Sequence, residues 1–400
     1  MSSRSTSHSP ADRAVGGQMD NVSTDWGSGR IRLRSVDVMR GAVLTLMILT
    51  PPIRYRGTYE ALGHAPWLGW TVSDLVFPLF LFVSGLSLAF LLRAPVDSTT
   101  KRRLVRRLVA LLIVGVAYNA IGQPLDISVL RFTGVLQLIG ISGAVATLAI
   151  LLTRRPDGRD RMGAIAAIAA GLILGYGAVL VWLPGSCGRF GVNCNPFFGI
   201  DEAVIGRSHL YRPFDAITYD PEGLILSMAA AALVLSGYLA SRVMATERPG
   251  KAISLLVTLG AAGLATSLFV NQWVPISKRL FTPTFALLAA SIGTLLFVGF
   301  VVLFDLGHDK AMPNQVSSSR QIVAWPFLVL GANALVVFMA ERILLQLANK
   351  TTIGGQPTDR WLLEHFGTAP SAALALSSAL LLIILGITAF MRWRKWRIVL

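Results

Sequence analysis

The sequence predicts an all-α protein, a polytopic transmembrane helical bundle of about ten spans, from three observations. Hydrophobic residues make up 54% of the 400 residues and charged residues only 14%, a balance too apolar for a water-soluble globule of this length. The apolar residues come in continuous blocks of Leu, Ala, Ile, Val and Gly that reach the roughly 20 residues a helix needs to cross a hydrocarbon core. They do not alternate with polar residues, as the strands of a membrane barrel would.

Taken in order, the blocks lie at 35–53, 71–92, 104–122, 132–152, 162–183, 222–241, 252–270, 283–304, 322–346 and 370–391. Ahead of them, residues 1–29 are rich in Ser, Gly and Asp and read as a disordered cytoplasmic tail with no signal-peptide core, leaving one membrane domain at 30–400. With the first end placed inside, roughly two thirds of the 36 Lys and Arg residues fall on cytoplasmic segments, as the positive-inside bias requires. Arg93, Lys101, Arg102, Arg103, Arg106 and Arg107 make the densest such group. Both termini are therefore expected in the cytoplasm, and the longest loop, 184–221, outside. The net charge of +15 then reads as anchoring to the bilayer surface. No basic face interleaved with aromatics suggests a nucleic-acid partner.

Polar residues inside spans carry the functional information, because a charge at mid-bilayer costs about 2.5 to 3.5 kcal/mol on insertion scales. In the first span Asp37 and Arg40 share a helical face; they are either a self-satisfied salt bridge or the lining of a cytoplasm-facing pocket for an anion. Before the second span stands HAPWLGWTVSDLVFP, with His64 in the loop and Asp74 one turn into the helix. Thr71 and Asp74 match a capping box, which alone could account for the carboxylate. The apolar neighbours Leu62, Trp67, Leu68 and Trp70 suggest a loop folded back onto the bundle, where an imidazole beside a carboxylate can act as a general base.

Further along, Gln137 sits inside the fourth span. Cys187 and Cys194, in the outside loop, read as a disulfide; the alternatives are free thiols or a metal site, for which no histidine stands at ligand spacing, so no metal is expected. The stretch YDPEG places Asp220 as N-cap and Glu222 at N2 of the sixth span. Lys278 and Arg279 precede the eighth span. Asn333 falls near the middle of the ninth, followed by Glu341 and Arg342.

In this order the segments RLRSVDVMRG, HAPWLGWTVSDLVFPLFLF, RFTGVLQLIG, CGRFGVNCN, HLYRPFDAITYDPEG, KRLFTPTF and GANALVVF closely resemble the heparan-α-glucosaminide N-acetyltransferase family of transmembrane acyltransferases and its bacterial relatives. The resemblance covers residues 30 to 345. It implies a helical enzyme of, here, a bacterial inner membrane that takes acetyl from cytoplasmic acetyl-CoA and delivers it to an amino sugar or related glycan on the far side, as a homodimer. The family's active-site histidine carries over to His64 and its motif aspartate to Asp74. Where relatives read V-N-N-P or V-N-Y, this chain reads Leu49-Thr50-Pro51-Pro52, so Thr50 stands at the position of the family's asparagine. Arg131, Gln137, Asp220, Glu222, Lys278, Arg279 and Asn333, with Asp37 and Arg40, are the expected acyl-CoA or substrate contacts. The rival expectation is a transporter or flippase for a sugar or lipid-linked sugar, in which intramembrane charges line a path between two related halves with paired broken helices. No such halves are visible in the sequence.

Overall fold

The structure is a computed structural model, and it describes residues 33–50, 59–93, 96–121, 126–183, 189–192, 195–211, 219–306, 318–367, 369–396 and 398. Thirteen α-helices follow one another among these: α1 Arg34–Leu49, α2 Val72–Leu91, α3 Ser98–Ala120, α4 Val135–Thr153, α5 Met162–Trp182, α6 Phe198–Ile205, α7 Leu224–Thr246, α8 Pro249–Val270, α9 Pro283–Phe304, α10 Ser318–Ala332, α11 Ala334–Lys350, α12 Thr358–Phe366 and α13 Pro370–Trp393. A two-residue hairpin, β1 Thr352–Ile353 with β2 Gln356–Pro357, is the one sheet among the described residues.

The bundle is organised around α2 and α7, the most deeply buried of its long helices. Their backbones touch because each offers a glycine to the other. A Cβ at Gly85 would lie 1.9 Å from the Val234 carbonyl oxygen, and one at Gly237 would lie 2.0 Å from that of Phe82. Small residues at crossings are how helices in lipid gain close packing without a hydrophobic drive between them. Around this axis stand α1, α4, α5 and α9. The outer helices turn apolar side chains outward, among them Leu259, Phe269, Leu174 and Leu382, as lipid contact requires.

Among the described residues seven helices are long and apolar enough to cross a membrane, or eight if the bent pair α10 and α11 counts as one span. Of the ten expected blocks, α1 is only 16 residues long, and α3 opens on the charged sequence STTKRRLVRR. The ninth block is not one helix. It breaks between α10 and α11 with a bend of 79°, and Asn333, expected near mid-span, is the residue at the break. Its Oδ1 accepts the backbone N–H of Ile398 at 3.2 Å, so a contact 65 residues away satisfies the amide that interrupts the helix. A second correction concerns Asp220, which does not cap the sixth long helix. That helix, α7, begins at Leu224 with Gly223 in the N-cap position. Its free amides are taken by Asp201 of α6, whose Oδ1 accepts from Leu224 N at 2.9 Å and Ile225 N at 3.4 Å. The start of α1 is capped in the same long-range way, Ser35 N lying 3.3 Å from both carboxylate oxygens of Asp305 at the end of α9.

Candidate active site

The loop before α2 is folded back as its apolar residues require. Trp67 is buried, its Nε1 donating to the Phe190 carbonyl at 2.9 Å, while Leu68 and Trp70 stay exposed. The segment before α9 straps the loop down: Gly69 N donates to Ile276 O at 2.7 Å, and the Ser277 hydroxyl donates to Trp67 O at 2.7 Å. Thr71 and Ser73 hydroxyls donate back to the carbonyls of Gly63 and Leu62. His64 is thereby fixed over the first turn of α2.

Asp74, 1% exposed, does two jobs at once. Its Oδ2 accepts the Thr71 N–H at 3.1 Å, which is helix capping, and also the Ala65 N–H at 3.1 Å, which holds the loop. Its Oδ1 meets His64 Nδ1 at 2.8 Å. A carboxylate on Nδ1 fixes the ring and leaves Nε2 as the nitrogen able to take a proton. The His64 side chain keeps 40% exposure, so a reactant can reach it.

Lys278 is the third member, and spacing alone did not place it there. Its Nζ lies 3.5 Å from His64 Nδ1 and 3.6 Å from Asp74 Oδ1. Burial pushes this ammonium below its ordinary range, against the pull of Asp74 and Glu222. Its neighbour Arg279 faces elsewhere, bonded to the Tyr219 hydroxyl.

A second cluster lies next to the first. Arg131 Nη2 donates to Asp220 Oδ1 at 2.8 Å and to Glu222 Oε2 at 2.6 Å, and its Nε donates to the Thr133 hydroxyl at 2.9 Å. Asp220 Oδ2 accepts from Thr133 Oγ1 at 2.6 Å and Tyr211 N at 2.9 Å. Asn119 closes the group through the carbonyls of Arg131 and Thr133. Gln137 of α4 is buried against Gly115 and Gly134, with no hydrogen-bond partner for either amide atom among the described residues.

Asp37 and Arg40 lie at the other end of α1 from Thr50. They form the pair at 2.8 Å, and Arg40 Nη2 donates to Ser87 of α2 at 2.6 Å. The Thr50 hydroxyl donates to Met47 O within its own helix at 2.6 Å. Cys187 and Cys194 lie outside the described residues.

Residues 32–188 match the family model described as heparan-alpha-glucosaminide N-acetyltransferase, catalytic. That stretch includes His64, Asp74, Arg131 and Gln137. The chain is also similar to heparan-alpha-glucosaminide N-acetyltransferase of Homo sapiens, 27% identical over 365 residues that cover 78% of this chain and 53% of the relative. The Mus musculus protein of that name is 25% identical over 370 residues, 78% of this chain and 54% of the relative. The chain thus spans about half the length of the curated relatives it matches. The family match over the histidine motif, together with similarity that runs on through the strap carrying Lys278, makes the chain similar to the heparan-α-glucosaminide N-acetyltransferase family in the segments that build this site.

Proposed function

We propose that the chain is a membrane acetyltransferase that takes acetyl from cytoplasmic acetyl-CoA and transfers it to an amino sugar or related glycan acceptor on the opposite side of a bacterial inner membrane. The observation that carries this reading is the His64–Asp74 pair at 2.8 Å, anchored at its carboxylate and open at the ring. His64 Nε2 removes the proton from the acceptor nitrogen as that nitrogen forms its bond to the acetyl carbon. The carbon–sulfur bond breaks, and the leaving thiolate takes up the proton. In the covalent variant of the same chemistry, Nε2 itself first receives the acetyl group, releasing the thiol, and then yields it to the amine. Asp74 holds the ring and stabilises the imidazolium, as the carboxylate of a triad does. Lys278 balances the charge of Asp74.

The charge bias supports placing His64 on the outer side and Arg40 toward the cytoplasm. A transporter would call for matching broken helices in two halves; among the described residues one such break occurs, at Asn333. The test is direct. Detergent-purified protein should release CoA thiol in step with amide formation when given acetyl-CoA and an amino sugar. A folded preparation that transfers acetyl to no amine or hydroxyl acceptor would overturn the reading.

A further inference from the structure

A patch of positive charge without carboxylates lies where α13 ends. In RWRKWR, residues 392–397, cations are interleaved with two tryptophans, and no Asp or Glu follows Glu364 in the sequence. Arg392, Trp393, Arg394, Lys395 and Trp396 are all exposed. Among the described residues Arg392, Arg394 and Lys395 stand in no ion pair.

The turn that carries the patch has a regular geometry. It is a Schellman turn, with Lys395 N donating to Arg392 O at 3.0 Å and Trp396 N to Met391 O at 2.8 Å. Lys395 takes a φ of 58°, the left-handed position that glycine normally fills, so a cation is kept where backbone preference argues against one. Arg394 lies 4.9 Å from the Trp393 ring centroid and 5.6 Å from that of Phe390, and Trp396 meets Phe390 edge-on at 6.2 Å. These contacts gather the guanidinium and the indoles on one surface.

Two observations indicate what that surface meets. Ile383, Ile387, Phe390 and Trp393 are exposed at helical spacing along α13, so the patch continues a face turned to lipid rather than to a soluble polyanion. It also lies at the Asp37 end of α1: Ile398 N donates to Asn333 Oδ1 at 3.2 Å, and the backbone of Gly331, two residues from Asn333, rests against Asp37. The charge bias puts that end in the cytoplasm. Tryptophans with Lys and Arg beside them suit the head-group level of a bilayer, and positive charge there favours anionic lipid.

We infer that residues 392–396 bind the head group of an anionic phospholipid in the leaflet at the Asp37 end, and that this binding fastens the Ile398 amide onto Asn333. The coupling is short. Asn333 stands at the break between α10 and α11, and α10 packs its backbone on α1 where Phe327 faces Gly41. A head group held by Arg394 and Lys395 orders the segment that carries the Ile398 amide, so the lipid composition sets how firmly the break is held. This inference does not depend on the acetyltransferase reading.

Native mass spectrometry of delipidated protein, titrated with phosphatidylglycerol or phosphatidylcholine, tests the first step. The wild type should prefer phosphatidylglycerol about tenfold or more, and the double variant Arg394→Gln, Lys395→Gln should lose that preference, because each cation near a membrane surface raises affinity severalfold. The double variant Lys101→Gln, Arg102→Gln, which removes equally exposed charges from α3, should change the preference less than about twofold. A preference that survives loss of Arg394 and Lys395, or that falls equally in both double variants, would overturn the site. So would displacement of the lipid by glycerol phosphate alone, which would make it a site for soluble phosphate. Hydrogen exchange in nanodiscs tests the second step. Adding phosphatidylglycerol to phosphatidylcholine should slow exchange in the first turn of α11 about threefold or more. Ile398→Pro, which removes the amide and none of the cations, should still bind the lipid but show no slowing. No slowing in the wild type, or slowing retained in Ile398→Pro, would overturn the link to Asn333.

Discussion

Around Asp220 both carboxylate oxygens are filled by Arg131, Glu222 N, Thr133 and Tyr211 N, and the guanidinium that answers them is shared with Glu222. Around Asp74 the carboxylate is just as fully engaged, but its partner is a histidine with one nitrogen committed and 40% of its side chain open. The difference separates two uses of buried charge. A closed network sets the geometry of the chain, here tying the start of α4 to the segment that enters α7. An open one leaves a group whose protonation can change while its position is held.

His64→Ala should break the comparison most visibly. Loss of a general base lowers turnover by about 10² to 10⁴, yet the loop is held by Trp67, Gly69 and Ser277, so the melting temperature should stay near that of the wild type. Acetyl transfer and thermal unfolding measured on one preparation decide it. Near-normal turnover would move His64 into the closed class.

Asp220→Ala should do the reverse. Removing one member of a buried ion pair costs about 3 to 5 kcal/mol, and it leaves the Thr133 hydroxyl and Tyr211 N without their acceptor and Arg131 with Glu222 as its remaining carboxylate. A clear drop in melting temperature is expected, with any loss of activity following the loss of fold. A stable but inactive variant would instead make the Arg131 cluster part of the chemistry.

Asp74→Asn falls between the two. The amide retains an oxygen for the Thr71 and Ala65 N–H groups but removes the charge facing His64 and Lys278. Turnover should drop about tenfold to a hundredfold, less than for His64→Ala, with only a small stability change. An unfolded Asp74→Asn protein would show capping to be the main role of this residue.

Much of the fold was legible because long apolar runs have few other structures available. The block at 162–183 became Met162–Trp182, and that at 283–304 became Pro283–Phe304. What failed did so through partners far away in sequence. Nothing around Asn333 signals a break, since its satisfaction comes from Ile398. Asp220 has the local chemistry of an N-cap, but Asp201 occupies that position from another helix. In the site, the His64–Asp74 pair was readable because ten residues and one turn of helix join them. Lys278, 214 residues from His64, could be read as polar and near a helix start but not placed.

The smallest expected effect tests the closed class from its edge. Asp201 is 3% exposed, accepts two amides of α7 and has Asp220 as a like-charged neighbour; burial raises its carboxyl to about 6. The folded state therefore holds this proton between the ordinary carboxylate value and about pH 6, whereas the unfolded chain does not, so the contribution of this group to stability declines as pH rises through that window. Above pH 6 the charge is a burden that Asn would not carry, because its side-chain oxygen can still accept from Leu224 N. Asp201→Asn should therefore match or exceed the wild type in stability at pH 7.5, by no more than about 3 kcal/mol, and the advantage should shrink at pH 5. Melting temperatures at the two pH values check the sign. A variant less stable at pH 7.5 than at pH 5, relative to wild type, would show that the charged carboxylate, rather than an acceptor of its shape, is what holds the start of α7.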